Sequence, residues 1–313
     1  MDTTTALRRS FETSSAPVDV AAIVVTYNSA TDIGTLISSL RAETVDCRIR
    51  MIVVDNGSTD GTLELVRQHP DVVLIAAGAN RGYAAGINIG RHTAGNAGAL
   101  LILNPDVFVR PGAVNSLRER LREPGVGAVV PTLLDSDGTL HPSQRREPST
   151  IATFADALLG SRLTARPAWS SETCWDRKLY QQPHRIDWAT GAAILIDAVA
   201  DLRVGEWDER FFLYSEETDY SMRARRAGFT IQYVPGASAI HIGGDLEVSP
   251  RLWTIHTLNR VRLFGRDHSR AHTGAFRAAV VLNEALRAAG GRERSRTALR
   301  ALLHPSERPP EIA

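Results

Sequence analysis

Short apolar runs alternate along the first 131 residues with segments whose apolar residues recur every three or four positions. The runs are rich in Val, Ile and Leu and end in polar residues, which indicates buried strands. They lie at residues 20–28, 50–55, 72–77, 99–103 and 127–131. The segments between them predict helices at residues 29–42, 62–70, 82–93 and 111–123. Continuous apolar strands that alternate with helices are typical of a parallel sheet covered on both faces.

The second half of the chain continues this alternation after a long irregular segment. Residues 135–186 are rich in Pro, Arg and Ser, include His141, Arg145 and Arg146, and are expected to pass over a site at the sheet. Further strands and helices are predicted at residues 187–202, 206–228, 229–235 and 237–244, followed by two or three helices within residues 250–304.

The charge of the chain is balanced overall but unevenly distributed. With 36 basic and 35 acidic residues the formal net charge is +1, which argues against a nucleic-acid-binding protein. Residues 250–304 hold eleven Arg, no Lys and three acidic residues, hence a local net charge of +8. The end of the chain is therefore its one strongly basic part.

Cysteine content and hydropathy set limits on where the protein works. Cys47 and Cys174 are too few and too far apart for a disulfide framework or a zinc site. The first 19 residues are rich in Ser and Thr and lack the apolar centre of a signal peptide. No apolar run approaches the roughly 18 residues that span a bilayer. The sequence predicts a cytoplasmic protein, either free or attached to the inner surface of the membrane.

Polar clusters follow three of the predicted strands. They are Thr26-Tyr27-Asn28, Asp55-Asn56-Gly57-Ser58 and Asn104-Pro105-Asp106. Ligands of parallel α/β sheets bind beyond the carboxyl ends of the strands, so three polar clusters at that edge favour a binding site. Each cluster taken alone would also fit an ordinary turn.

The order of seven motifs resembles that of family 2 glycosyltransferases with the GT-A fold. The motifs are VVTYN, VVDNGSTDGT, NRGYAAGINIG, LNPDV, TGAAILI, DERFFLYSEETDYSMRARRAG and AIHIGG, within residues 20–265. They are most similar to bacterial rhamnosyltransferase-like and galactofuranosyltransferase-like members. The resemblance implies transfer of a sugar from a nucleotide-diphosphate donor, usually with inversion at the anomeric carbon.

The resemblance divides the chain by function. It implies a GT-A catalytic domain (20–249) with a nucleotide-binding half (20–131) and an acceptor half (132–249). Composition and patterning predict a disordered leader before it (1–19), and an Arg-rich helical extension (250–304) and a tail (305–313) after it.

The resemblance implies a nucleotide pocket after the first two strands. Asp55 resembles the family carboxylate that accepts a hydrogen bond from the pyrimidine N3–H, and Thr26, Tyr27 and Asn28 would enclose the base and ribose. The alternative for Asp55 is a turn or a helix cap, because Asp-Asn-Gly-Ser is strong turn chemistry.

LNPDV occupies the position of the family's Asp-x-Asp motif. Asp106 is its remaining carboxylate, while Asn104 replaces the first Asp and is expected to contact the ribose, or the metal through water. His241 resembles a metal ligand from a later strand, so the resemblance implies a divalent cation, Mg²⁺ or Mn²⁺. The alternatives are a strand-terminating turn and an ordinary buried histidine.

An acidic cluster, Glu216-Glu217-x-Asp219, opens a predicted helix. Adjacent helical residues point about 100° apart, so Glu216 and Glu217 cannot share one role. The family motif implies that Glu217 is the general base that deprotonates the acceptor hydroxyl, and that Asp219 is structural or hydrogen-bonded to the site. The alternative is a solvated acidic turn, which the helix dipole also favours.

The remaining motifs supply candidate contacts for the two sugars. Donor-sugar contacts are implied for Asn80, Arg81, Gly82 and Gly86, for which helix packing is the alternative. Acceptor contacts are implied for Trp188, Gly191, Tyr214 and Glu216, and core filling is the alternative for the aromatic residues.

The donor and acceptor are constrained less than the reaction class. By resemblance dTDP-L-rhamnose is the leading donor, ahead of a UDP-linked sugar, and the acceptor could be a glycan, a lipid-linked sugar or a small molecule. An alternative is a non-catalytic nucleotide-sugar-binding module that recruits partners, because the Asp-x-Asp motif is incomplete.

The Arg-rich extension could contact anionic lipid, a diphosphate-bearing acceptor or a second subunit, or it could be a solvated face. Residues 251–268 carry Trp253, Leu258, Val261 and Leu263 among arginines, the pattern of an interfacial helix.

Overall fold

A computed structural model describes residues 10–160, 166–243 and 249–312. Within these ranges lie eleven strands, β1 (Val18–Thr26), β2 (Ile49–Asp55), β3 (Val73–Ala76), β4 (Ala97–Leu103), β5 (Val107–Val109), β6 (Val126–Leu134), β7 (Gln144–Arg145), β8 (His184–Ile186), β9 (Trp188–Ala189), β10 (Ala193–Asp197) and β11 (Thr230–His241). The helices are α1 (Ile33–Ala42), α2 (Thr62–Arg67), α3 (Tyr83–Thr93), α4 (Ala113–Leu121), α5 (Thr150–Leu159), α6 (Ala198–Val204), α7 (Glu216–Arg226), α8 (Pro250–Asp267), α9 (Arg270–Ala289) and α10 (Glu293–Leu303).

A nine-stranded sheet forms the centre of the fold. Its strands lie in the order β3-β2-β1-β4-β10-β6-β11-β5, and β8 pairs with β11. Strands β3, β2, β1 and β4 are parallel, β10 runs antiparallel between β4 and β6, and β11 is parallel to β6. The predicted α/β class with a mostly parallel sheet is confirmed. One edge of the sheet therefore collects the carboxyl ends of β1, β2, β4 and β11 and the amino ends of β10 and β5.

Both faces of the sheet are covered, as the continuous apolar strands predict. In β1 the side chains of Val20, Ala22 and Val24 join one core and those of Ala21, Ile23 and Val25 join the other. Helices α1 and α4 cover the first face, while α3 and the Tyr220 side of α7 cover the second. Alternate side chains of a strand point to opposite faces, so a strand buried on both sides must be apolar throughout.

The structure departs from the predicted boundaries mainly where turns replace predicted helix or strand residues. Strand β1 ends at Thr26 and α1 begins only at Ile33, because the residues between them turn towards the segment that follows β2. The two strands predicted within residues 229–244 are one strand, β11, with a register shift between Val234 and Ser238. The segment 135–186, predicted to be irregular, contains α5, which packs against α9.

The prediction of a disordered leader at residues 1–19 is wrong for its described part. Phe11 is 4% exposed and belongs to the core beneath α1, and the backbone N–H of Glu12 donates to the carbonyl of Ile49 at 2.7 Å. Strand β1 begins at Val18. Residues 1–9 lie outside the described residues. An aromatic residue that can enter an apolar core anchors a segment whose remaining composition suggests disorder.

The C-terminal extension folds as three helices with a core of their own. Ile255, Leu258, Phe264, Phe276 and Val280 are buried in it. The interpretation of residues 251–268 as an interfacial helix is therefore wrong for its apolar residues, because Leu258, Leu263 and Phe264 face protein and not solvent.

Several arginines of the extension are also engaged in ion pairs. Arg260 pairs with Glu172 at 2.5 Å, and Arg266 pairs with Asp219. Such pairs reduce the positive charge left for a partner. No helix within the described ranges is both long enough and apolar enough to cross a bilayer.

Candidate active site

The carboxyl edge of the sheet brings Asp106 and His241 together. Asp106 directly precedes β5, and His241 ends β11, which pairs with β5 so that His241 lies opposite Val107. The Nε2 atom of His241 is 3.3 Å from Oδ2 of Asp106, and the N–H of Ile242 donates to the Asp106 carbonyl at 2.9 Å. Two motifs that are 135 residues apart in the sequence thus form one pair of side chains.

This pair fits a divalent cation only in part. Oδ1 of Asp106 and Nδ1 of His241 are buried and lack a hydrogen-bond partner among the described residues, which leaves both free as ligands. No group of three or more His, Cys, Asp or Glu side chains suited to a metal occurs in the described part of the chain. Mg²⁺ commonly takes one or two carboxylates and completes its shell with water and substrate phosphate, so the two side chains suffice if the donor supplies the rest.

Asn104 is held by Tyr83 and by the start of β10. The hydroxyl of Tyr83 donates to Oδ1 of Asn104 at 2.9 Å, and the N–H of Asn104 donates to the carbonyl of Ala192 at 3.0 Å. Burial raises the pKa of Tyr83 well above its usual value, and the charges of Glu216, Glu217 and Asp106 raise it further. The phenol is therefore protonated at neutral pH and acts as the donor in this hydrogen bond.

Removal of that hydrogen bond should weaken donor binding moderately. Tyr83→Phe deletes only the hydroxyl, so we expect dTDP, the diphosphate of the donor that the family resemblance implies, to bind about fivefold more weakly in the presence of Mn²⁺, the equivalent of one ordinary hydrogen bond. Isothermal calorimetry measures the affinity, and the melting temperature controls for folding. An unchanged affinity in a stable variant would contradict a role for Asn104 in binding the donor.

The residues at the end of β2 form a turn that the side chain of Asp55 closes. Oδ1 of Asp55 accepts from the Thr26 hydroxyl at 3.0 Å, and Oδ2 accepts from the backbone N–H groups of Gly57 and Ser58 at 3.2 and 3.0 Å. These are the contacts that the turn interpretation predicts. Carboxylate oxygens can accept more than one hydrogen bond, so Asp55 keeps capacity for a base N–H.

The other predicted nucleotide residues lie around this turn. The side chain of Tyr27 is 53% exposed, as a stacking residue would be, and Asn28 has φ of 52°. Oδ1 of Asn28 accepts from the N–H of Thr59 at 2.8 Å. Asn28 therefore links the segment that follows β1 to the segment that follows β2.

A buried asparagine that the sequence interpretation missed holds the segment that is predicted to contact the donor sugar. Nδ2 of Asn56 donates to Oδ1 of Asn80 at 3.1 Å and to the carbonyl of Gly82 at 2.9 Å, while its Oδ1 accepts from the N–H of Arg81 at 3.1 Å. The strong turn signal of residues 55–58 concealed this role. For Gly86 the structure supports packing and not donor contact, because an added Cβ would lie 2.5 Å from Cγ1 of Val25 in β1.

Glu216 and Glu217 begin α7 after an unusual turn. The two preceding residues, Tyr214 and Ser215, have φ of 66° and 75°, a left-handed conformation that is uncommon without glycine. Glu216 is 2% exposed and Glu217 is half-buried, and Oε2 of each is buried without a hydrogen-bond partner within the ranges described above. An added Cβ on Gly191 would lie 3.6 Å from Oε1 of Glu217, so Gly191 leaves space beside this carboxylate.

The environments of the two carboxylates differ. Burial raises the pKa of Glu216 well above its usual value, and the neighbouring charge of Glu217 raises it further. Burial also raises the pKa of Glu217, but backbone N–H groups, including that of Gly191, and the guanidinium of Arg145 act against this rise. Burial thus raises the pKa of both carboxylates, and backbone N–H groups act against the rise in each, but only Glu217 also has a nearby guanidinium that favours its ionised form.

The contacts of Asp219 are those that a structural residue would make. It is fully buried and forms ion pairs with Arg223 at 2.8 Å and with Arg266 of the extension. For Tyr214 the structure supports the core-filling alternative, because its ring packs on the C-terminal core and lies edge-on to His256 with ring centroids 5.4 Å apart. Trp188 is half-buried, and its indole N–H donates to the carbonyl of Arg146 at 2.8 Å.

Comparison with known proteins establishes what kind of protein carries this arrangement. The model of the family described as "Glycosyl transferase family 2" matches residues 21–186, more than half of the chain. The N-acetylglucosaminyl-diphospho-decaprenol L-rhamnosyltransferase of Mycobacterium tuberculosis is 34% identical over 70% of this chain and 74% of its own. The chain belongs to glycosyl transferase family 2. It is therefore a transferase enzyme.

Two further relatives within the glycosyltransferases are more distant. The low-salt glycan biosynthesis hexosyltransferase Agl10 of Haloferax volcanii is 27% identical over 71% of this chain and 67% of its own. The rhamnosyltransferase WbbL of Escherichia coli is 25% identical over 70% of this chain and 81% of its own. These relatives lend no support to the alternative of a non-catalytic module.

The fold is likewise that of the glycosyltransferases. The mannosyltransferase PcManGT of Pyrobaculum calidifontis, solved in complex with GDP-Man and Mn²⁺, superposes with a TM-score of 0.52 at 18% identity. The match covers 95% of this chain and 82% of the other. The expected GT-A fold with helices at its C-terminus is confirmed.

Proposed function

We propose that this glycosyltransferase transfers L-rhamnose from dTDP-L-rhamnose to a hydroxyl of a lipid-linked glycan diphosphate, with inversion. Two relatives, from M. tuberculosis and E. coli, are named rhamnosyltransferases, and the name of the former specifies an acceptor with a diphospho-decaprenol carrier. The structural observation that carries the proposal is that the proposed base lies close to the residues proposed to bind the donor and its cation. Gly191 adjoins Glu217, and the next residue, Ala192, accepts a hydrogen bond from Asn104 beside Asp106.

In the proposed mechanism Glu217 acts as general base. Its carboxylate takes the proton of the acceptor hydroxyl while the hydroxyl oxygen forms a bond to the anomeric carbon of the donor. The bond between that carbon and the diphosphate breaks in the same step, and the electron pair leaves with the diphosphate. A single displacement of this kind inverts the anomeric configuration.

Asp106 and His241 are the residues that would hold a divalent cation, Mg²⁺ or Mn²⁺. Bound there, such a cation would neutralise the charge on the donor diphosphate. Support comes from their two unpartnered buried atoms and from PcManGT, which was solved with Mn²⁺. Asp55, Thr26, Tyr27 and Asn28 would bind the nucleoside at the neighbouring strand exits, at the position that the family resemblance implies.

The rate of transfer should depend on pH through Glu217. The base must be ionised, so the rate falls as the pH falls through the pKa of Glu217, which burial raises above that of an exposed Glu. Arg145→Gln removes a charge that lowers this pKa, so the acidic limb of kcat/KM should move to higher pH. Arg146→Gln is the matched control. It removes the neighbouring guanidinium, which donates to the Ser171 carbonyl at 3.3 Å and is not among the groups that shift the pKa of Glu217. An identical limb in both variants would argue against Glu217 as the base.

The identity of the donor is tested by a binding panel. dTDP-L-rhamnose, UDP-galactofuranose, UDP-GlcNAc and GDP-mannose are titrated by calorimetry, each with Mn²⁺ and again with EDTA. The proposal expects dTDP-L-rhamnose to bind most tightly and to require the cation. Tighter binding of another donor would identify that donor in place of dTDP-L-rhamnose. Equal affinity with Mn²⁺ and with EDTA would show that donor binding does not require the cation.

A further inference from the structure

The turn before α7 determines where the carboxylate of Glu217 points. Tyr214 and Ser215 both adopt left-handed backbone conformations, which residues with a Cβ adopt only when the surrounding structure holds them. Ser215 occupies the N-cap position without a side-chain capping hydrogen bond. The turn therefore depends on contacts from other parts of the chain.

Asn259 of α8 provides such a contact. Its side chain is fully buried, and Nδ2 donates to the carbonyls of Leu213 and Tyr214 at 3.0 and 3.2 Å. Only the amide nitrogen can donate to a carbonyl, so the orientation of the side chain is fixed. Its Oδ1 is buried without a partner among the residues the structure describes. An unpaired buried oxygen is unfavourable, so the two carbonyls of the turn are the reason for an asparagine here.

The turn is held on both sides. On the donor side, the N–H of Tyr83 donates to the carbonyl of Phe212 at 2.7 Å. On the other side, Phe212, Leu213 and Tyr214 pack against the core of the C-terminal helices. Helix α8 is attached to the catalytic domain independently of Asn259, through Arg260 and Arg266. Loss of the Asn259 hydrogen bonds should therefore loosen the turn without detaching the helix.

We propose that Asn259 is a positioning residue for the transfer reaction. It acts through the left-handed turn at Tyr214 and Ser215 and sets the direction of Glu217. The C-terminal helices thereby complete the active site. The effect on rate rests on the proposed function, whereas the effect on the turn does not.

Asn259→Asp tests this role with little change in shape. The substitution replaces the donor nitrogen with an acceptor oxygen that faces two carbonyls, so the turn should open. We expect kcat for rhamnose transfer to fall about 100-fold, the loss typical of a misplaced catalytic group, while dTDP affinity changes less than about twofold. The matched control is Asn283→Asp, another buried asparagine of the extension that lines a cavity beside α5. An equal loss in the control would assign the effect to a buried charge and overturn the proposal.

Rescue through the backbone provides a second test. Glycine accepts left-handed φ without strain, so Ser215→Gly should restore part of the rate that Asn259→Ala loses, about tenfold of an expected 100-fold loss. Absence of rescue would overturn the proposal. Because Asn259→Ala introduces no charge, the test holds even if Asn259→Asp fails to fold.

Amide hydrogen exchange separates this proposal from the proposed function. Peptides that cover residues 211–219 should exchange faster in Asn259→Ala than in the wild type, while those of β1 and β2 stay unchanged. Unchanged exchange at 211–219 would overturn the role of Asn259 whatever the donor is. If exchange becomes faster but the wild-type enzyme does not transfer rhamnose, the role of Asn259 in holding the turn is supported and the proposed donor is refuted.

Discussion

Glu217→Gln should abolish sugar transfer while donor binding persists. Glutamine keeps the size of the side chain but cannot accept a proton, and general bases contribute roughly 10²- to 10⁴-fold to rates. We therefore expect kcat to fall about 1,000-fold. Calorimetry should give the same dTDP-L-rhamnose affinity as the wild type, because the proposed donor contacts lie at other strand exits.

Two further variants show whether the loss is specific to Glu217. Glu216→Gln should cost no more than about tenfold in kcat, because burial already favours a protonated Glu216 and an amide mimics that form. Glu206→Gln removes an exposed carboxylate that pairs with His92 and should leave kcat unchanged. If Glu216→Gln is inactive and Glu217→Gln retains activity, the assignment of the base is wrong.

Asp106→Asn should reduce transfer by at least about 100-fold and remove the response to Mn²⁺. The substitution removes the negative charge from the proposed cation site, and a bound cation commonly contributes several kcal/mol of charge stabilisation. In the wild type, EDTA should lower both kcat and dTDP affinity. In Asp106→Asn, Mn²⁺ and EDTA should give nearly the same dTDP affinity, as measured by calorimetry.

A carboxylate in an exposed turn serves as the control for this experiment. Asp137→Asn lies in the turn between β6 and β7 and should respond to Mn²⁺ like the wild type. His241→Ala should weaken the response to Mn²⁺ without removing it, because Asp106 remains. A full response to Mn²⁺ in Asp106→Asn would show that the cation binds elsewhere or takes no part.

The fold class was accessible from the sequence because the strands are continuous apolar runs. Burial of β1 on both faces requires every position from Val20 to Val25 to be apolar, and such a run stands out in any reading. The polar strand exits follow from the same logic, since carboxyl ends of parallel strands meet at one edge. The pairing of Asp106 with His241 could be inferred only through family resemblance, because β11 reaches β5 across more than 100 residues.

The sequence did not reveal the individual roles of side chains that act through long-range contacts. Arg145 lowers the pKa of Glu217, but it lies in a segment without a regular hydrophobic period. Asn259 is one polar residue within an amphipathic helix. Tyr83 lies in a glycine-rich segment that resembles many helix starts. The basic extension was misjudged for a related reason: an amphipathic helix looks alike whether its apolar face meets lipid or a protein core, and here Leu258 and Phe264 meet a protein core.

The anomeric configuration of the product tests the central claim most directly. The enzyme is incubated with dTDP-L-rhamnose, Mn²⁺ and an N-acetylglucosaminyl diphosphate prenyl acceptor, and the product is examined by NMR. The proposed single displacement with Glu217 as base predicts a rhamnosyl product of configuration opposite to that of the donor. A product with retained configuration would contradict it, because retention requires a different sequence of bond changes at the anomeric carbon.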